Sequence, residues 1–577
     1  MAEEKQGAPQ AAPPKPPPGP PPAKNPGFVT CTVDGREVVV KPGTLAIEAA
    51  RQVGVEIPHY CYHRRLSIAA NCRMCLVEMS NSPGGKLQPS CQAAVAEGIA
   101  IRTDTPRVKD QQRANLEFLL LNHPVDCAIC DQAGECKLQD YYMSYDVQPS
   151  RLDMPKLVKD KRARLGPRVT LDNERCILCT RCVRFMREVA KEPQLGVARR
   201  GSRSYITAFP GQELDSKYSV NTVDICPVGA LTATDFRFRG RVWFMSSARS
   251  VCTGCSRGCN VHLDYFGDTA YRLRPRENEA VNQDWMCDDG RTTYRAFNAD
   301  RVLRARVGRG AESREVGRSA AAAEAAAALK GFAARGQLGV LLSPVASLED
   351  LLAACSLAKG LGLAEVHVGG RPDGWSDSFL KRADENPNRK GLELAAAAAG
   401  LALKPVADLV RAIADGRTRA LWAVGSEVPS PEAAAAFARL EAFVCQAANL
   451  DPVARAATVL LPAAPAAEAD GTFVNFEGRA QRFERAWEPR GEARPHWALC
   501  AEMGMALSQK TAWSGAREVL AALGAGLPLG DFRWDLPPAP RSRALSPAPA
   551  GTVDGRLPGY RESAAAVPEH IRAKVTG

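Results

Sequence analysis

Apolar and polar residues alternate over FVTCTVDGREVVV, residues 28–40, and the alternation is centred on Asp34-Gly35. Alternation is typical of half-buried strands, and Asp-Gly between two such runs is typical of a tight hairpin. The next stretch, TLAIEAARQVGV at 44–55, has helical spacing of its apolar residues, with Thr44 as a candidate N-cap. The pattern therefore predicts a hairpin, a helix and then a loop rich in cysteine.

The C-terminal half has a different pattern. Short apolar runs bounded by Gly or Ser, QLGVLLS at 337–343 and RALWAVGS at 419–426, alternate with Ala-rich stretches of helical character. This alternation predicts a doubly wound α/β domain, in which Gly425 is a turn residue.

The two ends of the chain lack such patterns. Residues 1–26 are rich in proline and have the features of neither a signal peptide nor a transit sequence, so a disordered tail is expected. Residues 536–577, rich in Pro, Ala and Arg, are expected to be loose. Because no run of about 18 apolar residues occurs, we expect membrane association only through a partner.

Composition narrows the class of protein. The 577 residues predict roughly three to five domains, and 45% hydrophobic residues are enough to form real cores. The net charge of +11 is concentrated in Arg151–Arg203, which holds 15 Lys or Arg against 6 Asp or Glu. This region is interpreted as a solvated basic face, as charge compensation around an anionic site, or as a nucleic-acid contact.

The 19 cysteines are the main candidates for chemistry. In a chain without a predicted signal peptide, clustered cysteines indicate metal ligands in a reducing compartment. Spacing sorts fifteen of them, with one histidine, into four groups. The first group is Cys61, Cys72, Cys75 and Cys91; the second is His123, Cys127, Cys130 and Cys136; the third is Cys176, Cys179, Cys182 and Cys226; the fourth is Cys252, Cys255, Cys259 and Cys287. Cys31, Cys355, Cys445 and Cys500 are expected to be small buried apolar residues.

The third group gives the strongest indication of an iron–sulfur cluster. C-x2-C-x2-C followed by a remote Cys-Pro is half of the bacterial ferredoxin pattern. Met186 stands where a two-cluster ferredoxin has its fourth cysteine, so Cys226 is expected to complete the same cluster. Each group taken alone also fits zinc, and this alternative remains for the group that contains His123.

The first group follows a hairpin and a helix, which is the order of a β-grasp, plant-type ferredoxin, although its first spacing is longer than usual. A [2Fe–2S] cluster is expected there, with His59 and His63 as neighbours of Cys61 and not as ligands. In the second group, His123 replaces a thiolate with a neutral imidazole, which favours the reduced state of a cluster. Because that ligand can be protonated, binding is expected to weaken at low pH.

Together the groups resemble those of the large iron–sulfur subunit of respiratory complex I, known as the G subunit in bacteria and the 75 kDa subunit in mitochondria. TCTVDGREV and NCRMCLVEM resemble its N-terminal module, and EADGTFVNFEGRAQRF at 468–483 resembles a segment of its C-terminal domain. The resemblance implies a multidomain protein of α+β and α/β class. Its expected parts are a Pro-rich tail (1–26), a β-grasp [2Fe–2S] domain (27–105), a [4Fe–4S] domain ligated by one His and three Cys (106–145), a ferredoxin-like [4Fe–4S] domain (146–244), a molybdopterin-enzyme type [4Fe–4S] domain (245–301), a molybdopterin-oxidoreductase-like α/β scaffold (302–535) and a loose tail (536–577).

The fourth group, VCTGCSRGCN…WMCDDGR, resembles the [4Fe–4S] domain that opens molybdopterin oxidoreductases. All four cysteines are present, so a filled cluster is expected. Catalytic relatives usually have a lysine two residues beyond the last cysteine, where this chain has Asp289. The scaffold is also short, and Cys355 lies in a helical apolar pattern, so no molybdopterin is expected.

The resemblance implies an electron-relay subunit of NADH:quinone oxidoreductase, a translocase, with one [2Fe–2S] cluster, three [4Fe–4S] clusters and no NAD or quinone site. Electrons would arrive from the flavin and NADH-binding subunit and pass the first, third and second groups in that order. They would leave to a two-cluster ferredoxin-like subunit and the quinone-site subunits, with proton translocation coupled elsewhere and the fourth cluster off the main line. The implied location is the peripheral arm, on the cytoplasmic side of the bacterial inner membrane.

Three rival interpretations remain. A diaphorase or iron–sulfur subunit of a soluble NAD-linked hydrogenase or formate dehydrogenase shares the N-terminal modules, but usually has a second complete ferredoxin run. An active molybdenum enzyme would need bound pterin. A zinc-stabilised nucleic-acid-binding protein would use the basic region. Arg175, Arg181 and Arg184 interleave the third group, where they either stabilise a reduced cluster or are simply exposed.

Overall fold

The predicted N-terminal hairpin is present in the computed structural model of the chain. Strand β1 (Val29–Val33) pairs antiparallel with β2 (Arg36–Val40). The turn residues Asp34 and Gly35 have φ angles of 48° and 80°, as the tightest hairpin turns require. The alternating pattern therefore predicted this element correctly.

The helix after the hairpin begins later than predicted. Helix α1 (Ala46–Gln52) has Leu45 in the cap position, and no side chain caps it. The Thr44 hydroxyl donates instead to the carbonyl of Lys41 at 2.7 Å. The predicted N-cap is therefore wrong, because the preceding turn already uses that hydroxyl.

The first sheet has five strands in the order β2-β1-β5-β3-β4 and packs its apolar face on α1. Its remaining strands are β3 (Leu76–Met79), β4 (Gln88–Pro89) and β5 (Ala100–Arg102). The chain between α1 and β3 is a long loop that contains the first three cysteines of the first group.

Two helices flank the second group. Helix α2 (Pro106–Leu120) is capped by Thr105, whose hydroxyl accepts from the amide of Val108 at 3.3 Å. Helix α3 (Lys137–Tyr145) begins directly after Cys136. The second group therefore lies in the connection between these two helices.

The third group lies in a region of short elements. The region contains a three-stranded sheet in the order β10-β7-β6, a two-stranded ribbon β8-β9 and two short helices. The elements are β6 (Ala163–Arg164), β7 (Val169–Leu171), α4 (Arg181–Glu188), β8 (Leu195–Ala198), β9 (Tyr205–Ala208), α5 (Asn221–Asp224) and β10 (Leu231–Ala233).

The fourth group lies at one end of an antiparallel meander, β11-β12-β13. Its elements are β11 (Ser246–Val251), β12 (Asn260–Phe266), β13 (Thr269–Pro275) and α6 (Asp288–Thr292). Three of its cysteines lie in the connection from β11 to β12, and Cys287 precedes α6.

The C-terminal half is an α/β domain, as predicted. Its eight-stranded sheet has the order β15-β14-β21-β20-β19-β16-β17-β18, in which the six strands from β21 to β18 are parallel. The elements are β14 (Ala305–Val307), β15 (Arg314–Val316), α7 (Arg318–Ala333), β16 (Leu338–Leu342), α8 (Leu348–Gly360), β17 (Glu365–Val368), α9 (Arg389–Ala398), β18 (Ala402–Pro405), α10 (Val406–Ala414), β19 (Ala420–Val424), α11 (Pro431–Phe437), β20 (Ala442–Ala447), α12 (Pro452–Arg455), β21 (Val459–Pro462), β22 (Gly471–Val474), β23 (Ala480–Phe483), α13 (His496–Ala506) and α14 (Ala516–Leu523).

Gly425, at the end of β19, has a φ of 86°. A Cβ there would lie 2.5 Å from the Cβ of Ser343. Backbone conformation and space therefore both require glycine at this predicted turn.

The structure describes residues 27–145, 150–509, 511, 513–530 and 532. Both predicted tails, 1–26 and 536–577, lie outside these residues. The described residues up to Pro528 belong to one compact unit. Among the described helices, none combines the length and the apolar character needed to cross a bilayer.

Candidate iron–sulfur sites

The structure brings the four cysteines of the first group together. The thiol of Cys61 is in hydrogen-bonding contact with those of Cys72 and Cys91, and Cys75 is in contact with Cys91. These contacts lower the pKa of Cys61 and of Cys75. Arg73, between two of the cysteines, has a φ of 56°, a strained conformation that is typical of functional loops.

His59 and His63 do not join this group. The Nδ1 atom of His59 lies 2.8 Å from the carbonyl of Ile57. The His63 ring stacks on Trp285, with 5.4 Å between ring centroids. Both imidazoles are thus occupied by other neighbours.

In the second group, His123 carries an unsatisfied polar atom. Its Nδ1 is buried without a hydrogen-bond partner, and burial lowers the pKa of the imidazole to about 4. The ring is therefore neutral at physiological pH, which is the form that binds a metal. A buried imidazole nitrogen without a hydrogen-bond partner fits a metal ligand, and His123 stands four residues before Cys127 in the sequence.

The second group is packed against the chain that follows Cys226. A Cβ on Gly229 would lie 2.2 Å from the Sγ of Cys130. The carbonyl of Pro227 accepts from the amide of Lys137 at 3.2 Å and lies 3.9 Å from the Sγ of Cys136. Glycine is therefore the residue that fits at position 229. The Cys226–Gly229 segment lies against the second group and includes a member of the third.

The third group lines one cavity. Cys176, Cys179, Cys182 and Cys226 all contribute to it, and its other lining residues are apolar except for Thr180 and Arg181. Burial raises the pKa of Cys176 to about 12 and of Cys179 to about 11. Free thiols there would stay protonated at neutral pH, so a metal that binds must displace those protons.

The loop of the third group has an unusual backbone. Leu178 and Thr180 have φ angles of 54° and 61°, and the amide of Leu178 donates to the Sγ of Cys176 at 3.4 Å. Left-handed residues between cysteines turn amides toward sulfur, which stabilises thiolate charge. The local strain is therefore part of how the loop presents its cysteines.

All four cysteines of the fourth group are buried. Its four cysteines are 5–6% exposed. The amide of Gly254 donates to the Sγ of Cys252 at 3.4 Å, and that of Gly290 to the Sγ of Cys287 at 3.3 Å. A Cβ on Gly290 would lie 2.9 Å from the Sγ of Cys252, so this glycine leaves room for sulfur.

Three arginines predicted to lie near the third group are buried, at 4–5% exposure. Arg184 donates to the carbonyls of Cys61 at 2.6 Å and Cys179 at 3.2 Å, and so joins the first and third groups. Arg175 forms a two-pronged ion pair with Asp126 at 2.9 and 2.6 Å. The interpretation of these arginines as merely exposed is therefore wrong.

Arg181 has a different environment. It donates to the carbonyls of Tyr62 and Ile225, and burial lowers its pKa, although Cys179 and Cys226 oppose that effect. A guanidinium without a carboxylate partner in these contacts places its positive charge close to sulfur.

The first and second groups also adjoin. Tyr60 is fully buried, its hydroxyl has no partner, and its ring meets Tyr141 edge-on at 5.2 Å. Burial raises the pKa of Tyr60, and Tyr141, Cys136 and Cys72 add to this effect. Tyr60 therefore lies between cysteines of two different groups.

Among the described residues, no three His, Cys, Asp or Glu side chains converge as a single metal ion would require. In a cubane cluster each ligand binds a different iron atom, so the ligands stand farther apart than those of one zinc ion. A cubane site therefore does not require three side chains to converge on one ion.

The remaining four cysteines lie in regular elements, Cys31 in β1, Cys355 in α8, Cys445 in β20 and Cys500 in α13. Each is at most 1% exposed and forms no disulfide. They pack as small apolar residues, as predicted.

Sequence reasoning missed two residues, Gly229 and Lys381. The Lys381 ammonium donates at 3.1 Å to the carbonyl of Gly254, which lies in the loop of the fourth group. Gly229 lies in ICPVGAL, and its position just after Cys-Pro is a local signal that a close approach of backbone to sulfur was needed. Lys381 lies more than ninety residues beyond the last cysteine of the fourth group, and no local pattern connects the two.

Five family models match successive parts of the chain. They are a 2Fe-2S iron-sulfur cluster binding domain (28–106), the NADH-ubiquinone oxidoreductase-G iron-sulfur binding region (112–151), the ferredoxin-like domain of NADH-quinone oxidoreductase subunit 3 (166–232), the molybdopterin oxidoreductase Fe4S4 domain (245–299) and molybdopterin oxidoreductase (319–505). The α/β half is therefore similar to molybdopterin oxidoreductases, as predicted.

Two curated relatives are subunits of NADH oxidoreductases. The NADH-quinone oxidoreductase G subunit of Rickettsia bellii is 42% identical over 276 residues, 48% of this chain and 40% of that protein. The NADH-ubiquinone oxidoreductase 75 kDa subunit of Reclinomonas americana is 45% identical over 276 residues, 48% of this chain and 39% of that protein. A solved NAD+-reducing [NiFe]-hydrogenase is 29% identical over 37% of this chain and 91% of that chain, with a TM-score of 0.34.

The matches span only about two fifths of the length of these curated relatives. Within that span, identity above 40% and two family models specific to this oxidoreductase agree with the resemblance based on cysteine spacing. Over the matched residues, the chain is similar to the G subunit of NADH-quinone oxidoreductase and to the 75 kDa subunit of NADH-ubiquinone oxidoreductase.

Proposed function

We propose that this chain is an electron-relay subunit of an NADH:quinone oxidoreductase, passing electrons from flavin-side centres toward quinone-side subunits. The observation that carries the proposal is the arrangement of the first three groups. They adjoin through Arg184, Tyr60 and the Cys226–Gly229 segment, inside one compact unit. Closely spaced redox centres shielded from water are what electron transfer requires.

The ligands we assign are the four groups identified from the sequence. Cys61, Cys72, Cys75 and Cys91 would hold a [2Fe–2S] cluster. Each of three [4Fe–4S] clusters would be held by one set: His123, Cys127, Cys130 and Cys136; Cys176, Cys179, Cys182 and Cys226; or Cys252, Cys255, Cys259 and Cys287. When bound, these clusters supply one-electron chemistry that side chains do not provide.

The chain's own residues bury the ligands, supply amides to sulfur and place charge beside it. Amides of Leu178, Gly254 and Gly290 donate to ligand sulfurs. Such hydrogen bonds stabilise the reduced, more negative form of a centre. In this proposal the protein tunes the potentials of the clusters, and NAD and quinone bind to other subunits.

The partners proposed are the flavin and NADH-binding subunit, a two-cluster ferredoxin-like subunit and the quinone-site subunits. The location proposed is the peripheral arm on the cytoplasmic face of a bacterial inner membrane. The basis for both is the identity of about 40–45% with complex I subunits. We propose that the α/β half holds no molybdopterin, because Asp289 stands where catalytic relatives usually have a lysine.

The test is iron and acid-labile sulfide analysis of the anaerobically purified complex, combined with EPR of the reduced sample. We expect one binuclear and three cubane signals from this chain. His123→Ala should alter one cubane signal only, because its Nδ1 is the buried atom without a partner. His59→Ala is the matched control and should leave all signals unchanged, since that imidazole is already held by Ile57.

Two results would contradict this function. One is a purified chain that contains zinc and no iron. The other is a native chain that copurifies with no flavin-containing partner. An unchanged spectrum in His123→Ala would remove His123 from the ligand set while leaving the relay function intact.

A further inference from the structure

A segment of the α/β half covers the fourth group. This cover segment, residues 369–388, connects β17 to α9. Arg371 donates to the carbonyl of Thr253 at 2.7 Å, and the amide of Ser256 donates to the carbonyl of Asp384 at 2.8 Å. Both contacts are with the loop that contains Cys252, Cys255 and Cys259, so the segment is bonded directly to the backbone that carries the ligands.

The cover segment also brings in a buried cation. Lys381 is 2% exposed, and its ammonium donates to the carbonyl of Gly254 at 3.1 Å and to Glu385 at 3.1 Å. A buried ammonium costs several kcal/mol unless anions compensate it, and Glu385 is itself 32% exposed at its side chain. One partly hydrated carboxylate is weak compensation for so deeply buried a charge.

The fourth group supplies the rest of the compensation. Burial lowers the pKa of Lys381, but the sulfurs of Cys255 and Cys287 and the carboxylate of Glu385 more than offset this, and the net pKa is raised. Conversely, Lys381 lowers the pKa of Cys252 and of Cys287 against the larger effect of burial. The ammonium therefore lies within electrostatic range of three of the four sulfurs.

Three other charged side chains also lie near the fourth group. Arg371 also acts on Cys252, and Arg257 on Cys259. Asp289, which follows the last cysteine, accepts from Arg168 at 3.1 Å and from the indole of Trp375 at 2.7 Å. Its carboxylate is engaged by a different part of the chain, which leaves Lys381 as a buried cation facing the sulfurs.

We propose that Lys381 is a positioning residue for the fourth cluster: its ammonium, delivered by the cover segment, raises the reduction potential of that cluster. The inference rests on the proposed function, since it needs a cluster on Cys252, Cys255, Cys259 and Cys287. It also gives the α/β half a role, which is to seal and charge-balance a centre whose ligands all come from the preceding domain.

The sign of the effect follows from charge. A cluster with four thiolate ligands gains negative charge on reduction, and a fixed cation nearby stabilises the reduced form. Removing the cation should therefore lower the potential, and removing the nearby carboxylate should raise it. A tenfold change in the ratio of reduced to oxidised cluster corresponds to about 59 mV for a one-electron couple.

The experiment is a redox titration of the whole complex, followed by EPR. The fourth-cluster signal is first identified by its loss in Cys255→Ser. Lys381→Met should lower its potential so that the reduced-to-oxidised ratio falls about tenfold, and Lys381→Arg should retain the wild-type value. Glu385→Gln should shift the same signal upward. Lys390→Met is the matched control, because Lys390 is 46% exposed and paired with Glu393 on α9.

The outcomes separate the two proposals. A wild-type complex without a fourth-cluster signal would overturn the cluster assignment and this inference with it. A signal that is present but unshifted in Lys381→Met would overturn this inference alone. If Lys381→Met loses the cluster, Glu385→Gln decides: an upward shift supports the electrostatic role, and no shift overturns it.

Discussion

The two halves of the molecule use cysteine in opposite ways. Before residue 302, grouped cysteines lie in loops or at the ends of elements, where residues such as Arg73, Leu178 and Thr180 have left-handed backbone. In the α/β half, Cys355, Cys445 and Cys500 lie inside helices and a strand and are fully packed. Backbone conformation distinguishes the grouped cysteines from the packed ones better than burial does, because both kinds are shielded from solvent.

The halves also differ in what stabilises them. The cores of the first half include cysteines of the second and third groups among their buried residues, as Cys136, Cys179 and Cys182 show. The main core of the α/β half is built from aliphatic and aromatic side chains on regular elements. We therefore expect the first half to depend on its cofactors for stability, while the second depends on hydrophobic burial.

Removing iron should have the largest effect on this contrast. Metal binding to a site that is not preformed contributes directly to folding, so chelation should lower hydrogen-exchange protection in residues 27–301 by more than about a hundredfold. Protection in the sheet from β16 to β21 should change by less than about threefold. Exchange measured by mass spectrometry on loaded and stripped protein gives both values. Equal losses in the two halves would contradict the comparison.

Gly229→Ala should have the next largest effect. The new Cβ would lie 2.2 Å from the Sγ of Cys130, and forced overpacking costs about 1–3 kcal/mol. We expect loss of the EPR signal that His123→Ala alters, together with a lower melting temperature. Gly317→Ala in the α/β half is the control, since a Cβ there meets nothing within 4 Å. A normal EPR spectrum of Gly229→Ala would mean that the Cys226–Gly229 segment shifts to accommodate the new methyl group.

Glu349→Gln tests how the α/β half tolerates a buried charge. Burial raises the pKa of Glu349 to about 7, and Thr472 donates to both of its carboxylate oxygens, at 2.7 and 2.8 Å. Because the folded-state pKa lies above the unfolded one, the protonated carboxyl of Glu349 favours the folded state. Its contribution to the free energy of unfolding is fully present below about pH 4.3 and is lost as pH rises toward 7, at about 1.4 kcal/mol per pH unit.

Glu349→Gln should therefore flatten the pH dependence of exchange protection around α8 and raise protection at pH 7, after correction for intrinsic exchange rates. Glu324→Gln, at an exposed position on α7, serves as the control and should leave the dependence as it is. Protection that falls at pH 7 in Glu349→Gln would mean that the carboxylate itself is stabilising.

Arg181→Met should produce the smallest of these effects. The guanidinium is 5% exposed and faces sulfurs of the third group, so its loss should lower that cluster's reduced-to-oxidised ratio about tenfold, or about 59 mV. Arg187→Met, with a side chain 62% exposed, should change nothing in the same titration. An unshifted potential in Arg181→Met would mean that this arginine acts only through its hydrogen bonds with Tyr62 and Ile225.

The sequence predicted features that depend on neighbours along the chain. The Asp34-Gly35 turn, the parallel strands around Trp422 and the grouping of cysteines all follow from local spacing or alternation. The exception was Thr44, whose hydroxyl was engaged by a competing local bond to Lys41. Local patterns therefore identified the elements better than their ends.

Features that depend on distant contacts were not predictable in this way. The structure showed that Arg184 joins the carbonyls of Cys61 and Cys179, and that Lys381 lies beside the fourth group. In both cases one partner lies more than a hundred residues away along the chain, and no periodicity relates the positions. The sequence shows which side chains are charged, whereas only the fold shows where each charge is placed.

The Cys226–Gly229 segment has a consequence for biogenesis. Cys226 lies in the third group, while Pro227 and Gly229 contact the second. A factor that inserts iron at the second or the third group would contact a segment that also shapes the other group. The two insertions are therefore expected to be interdependent. A maturation defect confined to one of them should appear in cells as a shortage of both.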